Sequence, residues 1–89
     1  MNTRYVVDAH ALIWYLESNA KLGARAKAVL DDAASDLVLP VIALAEAAYV
    51  VKKGKTLITD VPTLFDRVER DLRFEIYPLT FEILRPKLD

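Results

Sequence analysis

A chain of 89 residues with no cysteine, 28% charged residues, a formal net charge of −1 and a pI of about 5.8 is one small domain. These values exclude a disulfide scaffold, a thiolate metal site and a globally cationic nucleic-acid binder; any nucleic-acid contact must come from a local basic patch. Hydrophobic residues make up 54% and the mean hydropathy is +0.19, too apolar for disorder and rich for a small soluble domain, so some apolar surface is expected to meet a partner or a missing part of the fold.

Arg4 to Asp8 reads as a short buried strand, β-branched and aromatic without alternation. His10 to Glu17 reads as a helix with Asp8 or Ala9 near its start, and Ser18 to Leu22 as a loop. Gly23 to Ala34 follows as a second helix, with Arg25, Lys27, Asp31 and Asp32 toward water. Leu37 to Leu39 is a second strand stopped by Pro40. Val41 to Lys53 is a third helix, apolar on every side except at Glu46, with Gly54 as its C-cap. Asp60 caps a fourth helix that holds Pro62 in its first turn and buries Leu64, Phe65, Val68 and Leu72. Phe74 to Tyr77 is a third strand, and Thr80 to about Pro86 begins a fifth helix. Strands alternating with helices imply an α/β fold on a parallel sheet, within one domain spanning residues 1–89 and lacking repeats or linkers. No apolar stretch is long enough to span a bilayer, and Met1-Asn2-Thr3-Arg4 shows no signal-peptide pattern, so a cytoplasmic protein is expected.

Asp8 and Glu46 are the residues that call for chemistry. Each is embedded in apolar sequence, which predicts burial, and a buried carboxylate must take up a proton, find a partner or bind a cation. Asp8 ends a strand of a parallel sheet, where ligands bind; it is also a good helix N-cap, and the two roles are compatible. Glu46 either pairs with an internal arginine or lysine such as Arg4, or with a backbone amide, or shares a site with Asp8. Hard oxygen donors without cysteine point to Mg²⁺ or Mn²⁺. His10 is either a third ligand or incidental. Lys52, Lys53 and Lys55 either offset the dipole at a helix end or contact phosphate. Arg67, Arg70 and Arg73 read as the solvated side of the fourth helix, and Trp14 and Tyr15 as core or interface.

The run Tyr5-Val6-Val7-Asp8-Ala9-His10-Ala11-Leu12-Ile13-Trp14-Tyr15-Leu16 resembles the first motif of PIN domains, in particular of the VapC-type toxins of toxin–antitoxin pairs. Leu39-Pro40-Val41-Ile42-Ala43-Leu44-Ala45-Glu46, about 38 residues later, is similar to their second motif, and Lys53-Gly54-Lys55 and the Phe74 to Thr80 segment follow in the usual order. The resemblance implies a three-layer α/β/α sandwich and an endoribonuclease that hydrolyses RNA with Mg²⁺ or Mn²⁺, with Asp8 and Glu46 as the first two acidic ligands and an antitoxin as partner. The family's later acidic segment has no counterpart here, and Asp89 lacks its context, so the chain resembles the first two-thirds of such a domain and the acidic site is expected to be incomplete. The family's strand order, 3-2-1-4-5, would leave Arg4 to Asp8 as an open edge, which predicts self-association as a dimer or higher oligomer. The competing expectations are a non-catalytic module that folds, self-associates or binds antitoxin, and an unrelated α/β domain in which Asp8 is only a cap and Glu46 is ion-paired.

Overall fold

The computed structural model describes residues 4–78. Its centre is β2 (Asp36–Pro40), which pairs in parallel with β1 (Arg4–Val6) on one side and β3 (Phe74–Tyr77) on the other. The register sets Tyr5 beside Leu37 and Phe74, and Val6 beside Val38 and Glu75. Because side chains alternate along a strand, the sheet has two unlike faces. One carries Val7, Leu37 and Leu39 into a single core, which collects Leu12 and Ile13 of α1 (Ala9–Leu16) and Leu30 of α2 (Ala24–Asp31). Ala43, Ala47 and Val51 of α3 (Val41–Lys52) and Leu64 and Val68 of α4 (Val61–Arg70) join the same core. Parallel neighbours joined through helices are the α/β architecture that the alternation of elements predicts. The fifth helix expected over Thr80 to about Pro86 lies outside the described residues.

The other face carries Arg4, Val6, Asp36, Val38, Pro40, Glu75 and Tyr77. Arg4, Val6, Val38, Pro40 and Tyr77 line an open apolar groove of about 370 Å³ there. The Arg4 guanidinium reaches across it, 3.4 Å from Asp36 and 2.6 Å from Glu75, with its carbon 5.2 Å from the centre of the Tyr77 ring. It thereby touches both other strands. These groups are exposed, so the pairs are screened and contribute little to stability. The expectation that Arg4 to Asp8 is a buried strand is corrected: the strand ends at Val6, all three of its residues are exposed, and Val6 is 73% exposed. An edge strand with one bare face buries only the side chains that reach the helical layer. Val7, just past its end, does so.

The helix boundaries follow their local chemistry. Asp60 accepts from the Thr63 amide at 2.8 Å and Pro62 occupies the first turn of α4, as the sequence predicts. At the end of α3, Gly54 adopts φ +72°, a left-handed conformation that costs glycine little. The Gly54 amide bonds the Val51 carbonyl and the Lys55 amide that of Val50, the two hydrogen bonds of a Schellman stop. Helix α2 is shorter than predicted. It leaves helical geometry at Asp32, whose carboxylate accepts from the Ala34 amide, while the Ser35 hydroxyl turns back to donate to the Val29 carbonyl.

Arg73 is not on the solvated side of α4, as the sequence reading has it. It lies beyond that helix and donates to the carbonyls of Leu30 and Asp32 at the end of α2, and its guanidinium grips Asp71 with two bonds of 2.9 and 2.7 Å. The pair is partly exposed, with side-chain exposures of 18% and 26%. Hydrogen bonding from Arg73 holds the Asp71 carboxyl below the usual carboxylate range. Hydrogen bonds to a charged group contribute about 1.5–3 kcal/mol, so Arg73→Met is expected to lower the urea-unfolding free energy at neutral pH by that order. Since the folded-state pKa of Asp71 is depressed, its share of that stability is present above the ordinary carboxylate pKa of about 3.9 and lost as pH falls through the depressed value. The gap between wild type and variant in urea titrations should therefore narrow in strong acid.

Candidate functional site

Helices α1 and α3 both begin at the carboxyl ends of their strands, β1 and β2, and those strands are neighbours. In parallel α/β sheets this end is where ligands bind. Asp8 stands at the first junction in extended geometry, φ −88° and ψ 172°, and its Oδ1 accepts from the Ala11 amide at 2.8 Å. The cap role and the ligand role are thus both available, because capping uses one carboxylate oxygen. Glu46 lies in the second turn of α3, about 7.5 Å of helical rise beyond the helix start. The two helices pack against each other, so the two carboxylates are carried on neighbouring elements.

The expected burial of both carboxylates is corrected. Asp8 and Glu46 are exposed, and among the described residues no polar or charged side chain is buried. The physical reason lies in α3. Its inward side is Ala43, Ala47 and Val51, small residues that let the helix pack close, whereas Val41, Ile42, Ala45 and Tyr49 share the outer side with Glu46. A helix apolar all round is read as buried all round, but here bulk faces outward. The suggested partner for Glu46 is also excluded, since Arg4 is engaged with Asp36 and Glu75. Among the described residues Glu46 has no ion pair or side-chain hydrogen bond, and no three acidic or histidine groups come together as a metal cluster. His10 is exposed in the first turn of α1, its ring centre 5.6 Å from that of Trp14.

The donor set still suits a hard, hydrated cation. A divalent ion such as Mg²⁺ keeps several waters and is commonly held by one or two carboxylates together with substrate phosphates. Asp8 has an oxygen beyond its cap bond, and Glu46 is not consumed by any cation among the described residues. The basic residues are further off: Lys52, Lys53 and Lys55, all exposed, cluster at the opposite end of α3, with Lys53 seven residues beyond Glu46 and hence about 10 Å along the axis. There they offset the helix dipole and form a local cationic patch on a chain of net charge −1. Lys53 Nζ lies 5.3 Å from the centre of the Tyr49 ring, a contact the sequence reading did not anticipate. The signal was present: Glu46, Tyr49 and Lys53 recur at helical spacing.

This geometry separates the roles of the two acids. Asn caps as well as Asp, so Asp8→Asn should leave the melting temperature unchanged, whereas Asp8→Ala should cost about 1 kcal/mol. Glu46→Gln, at an exposed position, should stay within about 0.5 kcal/mol of wild type. A loss of several kcal/mol in chemical denaturation of Glu46→Gln would instead signify a buried ion pair.

A sequence model of the PIN domain matches residues 5–85. No curated protein and no solved structure matches the chain.

Proposed function

The chain belongs to the PIN-domain family, a nuclease-type family generally dependent on divalent metal, and from that premise we propose that it is a VapC-like endoribonuclease that hydrolyses RNA phosphodiester bonds with Mg²⁺ or Mn²⁺. The observation that carries this reading is the pair of exposed carboxylates, Asp8 just past the end of β1 and Glu46 on the helix that follows the adjacent parallel strand β2, neither paired with a cation among the described residues. In it, Asp8 and Glu46 are the catalytic residues and the metal ligands. When bound, the cation supplies the positive charge that activates a water and offsets charge on the phosphate in the transition state. The Ala11 amide fixes one oxygen of Asp8 and leaves the other available as a ligand. Glu46, on a rigid helix, supplies the second donor. Lys52, Lys53 and Lys55 attract the RNA backbone from the far end of the same helix.

RNA cleavage in Mn²⁺ or Mg²⁺ by the purified chain tests the reading. Activity should require metal and should disappear in Asp8→Asn and Glu46→Gln, both of which keep the fold. Cleavage equal in wild type and Asp8→Asn would exclude this site as its source.

A second reading, a non-catalytic module that works by self-association or by binding an antitoxin, is favoured by two observations. Among the described residues no third acidic or histidine group joins Asp8 and Glu46 in a metal cluster, and β1 is an open edge beside an apolar groove of about 600 Å³ that includes Tyr5, Val6, Ala26 and Val29 in its lining. Unpaired strand edges recruit other strands, so the chain should form a homodimer or higher oligomer along β1. Multi-angle light scattering should show more than one chain per particle; a clean monomer at high concentration would refute pairing along this edge.

A further inference from the structure

The outer side of α3 carries one line of side chains that connects the acid site with the lysines. Ile42, Glu46, Tyr49 and Lys53 follow at spacings of four, three and four residues, so they stack along one face of the helix. All four are exposed, and Tyr49 is 60% exposed. A tyrosine held outward on a helix has no packing reason to be there, since the inward side of α3 is filled by Ala43, Ala47 and Val51. Its ring is also placed: the Lys53 ammonium sits 5.3 Å from its centre, within the range of a cation–π contact. The aromatic group therefore lies between a carboxylate that can hold a cation and a lysine that can hold a phosphate.

We propose that Tyr49 is a stacking platform for an unpaired base of the RNA strand, with Lys53 on the adjoining phosphate, and that together they lay the strand along α3 toward Glu46. This rests on the nuclease reading above. The rise from Glu46 to Lys53 is about 10 Å, so the acid and the lysine would lie along one short stretch of the strand. Aromatic rings stack on any base that is free of its neighbours, and a duplex offers none, so the arrangement selects single-stranded RNA or the loops and ends of folded RNA. It also gives Lys53 a role that Lys52 and Lys55 do not share, because of the three only Lys53 lies over an aromatic ring among the described residues. Tyr49 touches substrate in this scheme without touching the reacting atoms; it is a binding and positioning residue.

Fluorescence anisotropy with a labelled oligouridylate of about ten nucleotides, in EDTA so that no strand is cut, tests this directly, with a duplex of equal length as control. Tyr49→Leu should weaken single-strand binding about 5- to 100-fold while duplex binding stays within about twofold, and Tyr49→Phe, which keeps the ring, should bind like wild type. Circular dichroism confirms that each variant is folded. Wild-type affinity in Tyr49→Leu, with Asp8-dependent cleavage intact, would overturn this inference alone and would assign the exposed ring to a protein contact. A wild-type chain that neither binds nor cuts RNA would overturn both readings.

Discussion

Among the described residues strand β2 alone has a partner on each side, and its two leucines, Leu37 and Leu39, are wholly excluded from solvent. Burying them on one face requires a helical layer over that face, and the core built on them draws residues from all four described helices. Parallel pairing then dictates direction. If β1 and β2 run the same way and each is followed directly by a helix, both helix starts must fall at the same end of the sheet. The placement of Asp8 and Glu46 is a by-product of satisfying Leu37 and Leu39.

That dependence explains why so thin a core suffices. A chain of 89 residues buries a modest fraction of its surface, and here the buried set is mainly Leu, Val and Ala on one side of three strands. Alanine at positions 43 and 47 brings α3 close to its neighbours, which leaves its larger residues outside. The surplus hydrophobicity expected from composition is real and has an address: Val6 on the edge strand, Val41, Ile42 and Tyr49 on α3, and Leu57 and Leu72 in the connections. Among the described residues polar side chains therefore stay at or near the surface, where the carboxylates are accessible.

Local signals were legible in the sequence, and those that depend on distant packing were not. Asp60 with Pro62, the Gly54 stop and the Phe74–Tyr77 strand each rest on a few adjacent residues with strong conformational preferences, and each stands where the sequence reading puts it. Asp8 at a strand end was legible for the same reason. The exposure of Glu46 was not, because uniform apolarity hides which side of α3 faces the core; only the small size of Ala43 and Ala47 distinguishes it. Arg73 was misread as helix surface because its partners, the carbonyls of Leu30 and Asp32, lie 43 and 41 residues away. Nothing within one helical turn announces such a contact.

The same Arg73 bonds bear on the order of events in folding. Capping by Asp8 and Asp60 spans three residues and can form while most of the chain is still searching. The Arg73 contacts close a loop of more than forty residues, so they become available only once β3 has docked on β2. If a tie made that late is absent from the transition state, it acts on the return journey: it slows the opening of the sheet without hastening its assembly. On that ordering this arginine governs the lifetime of the native state more than the speed of reaching it.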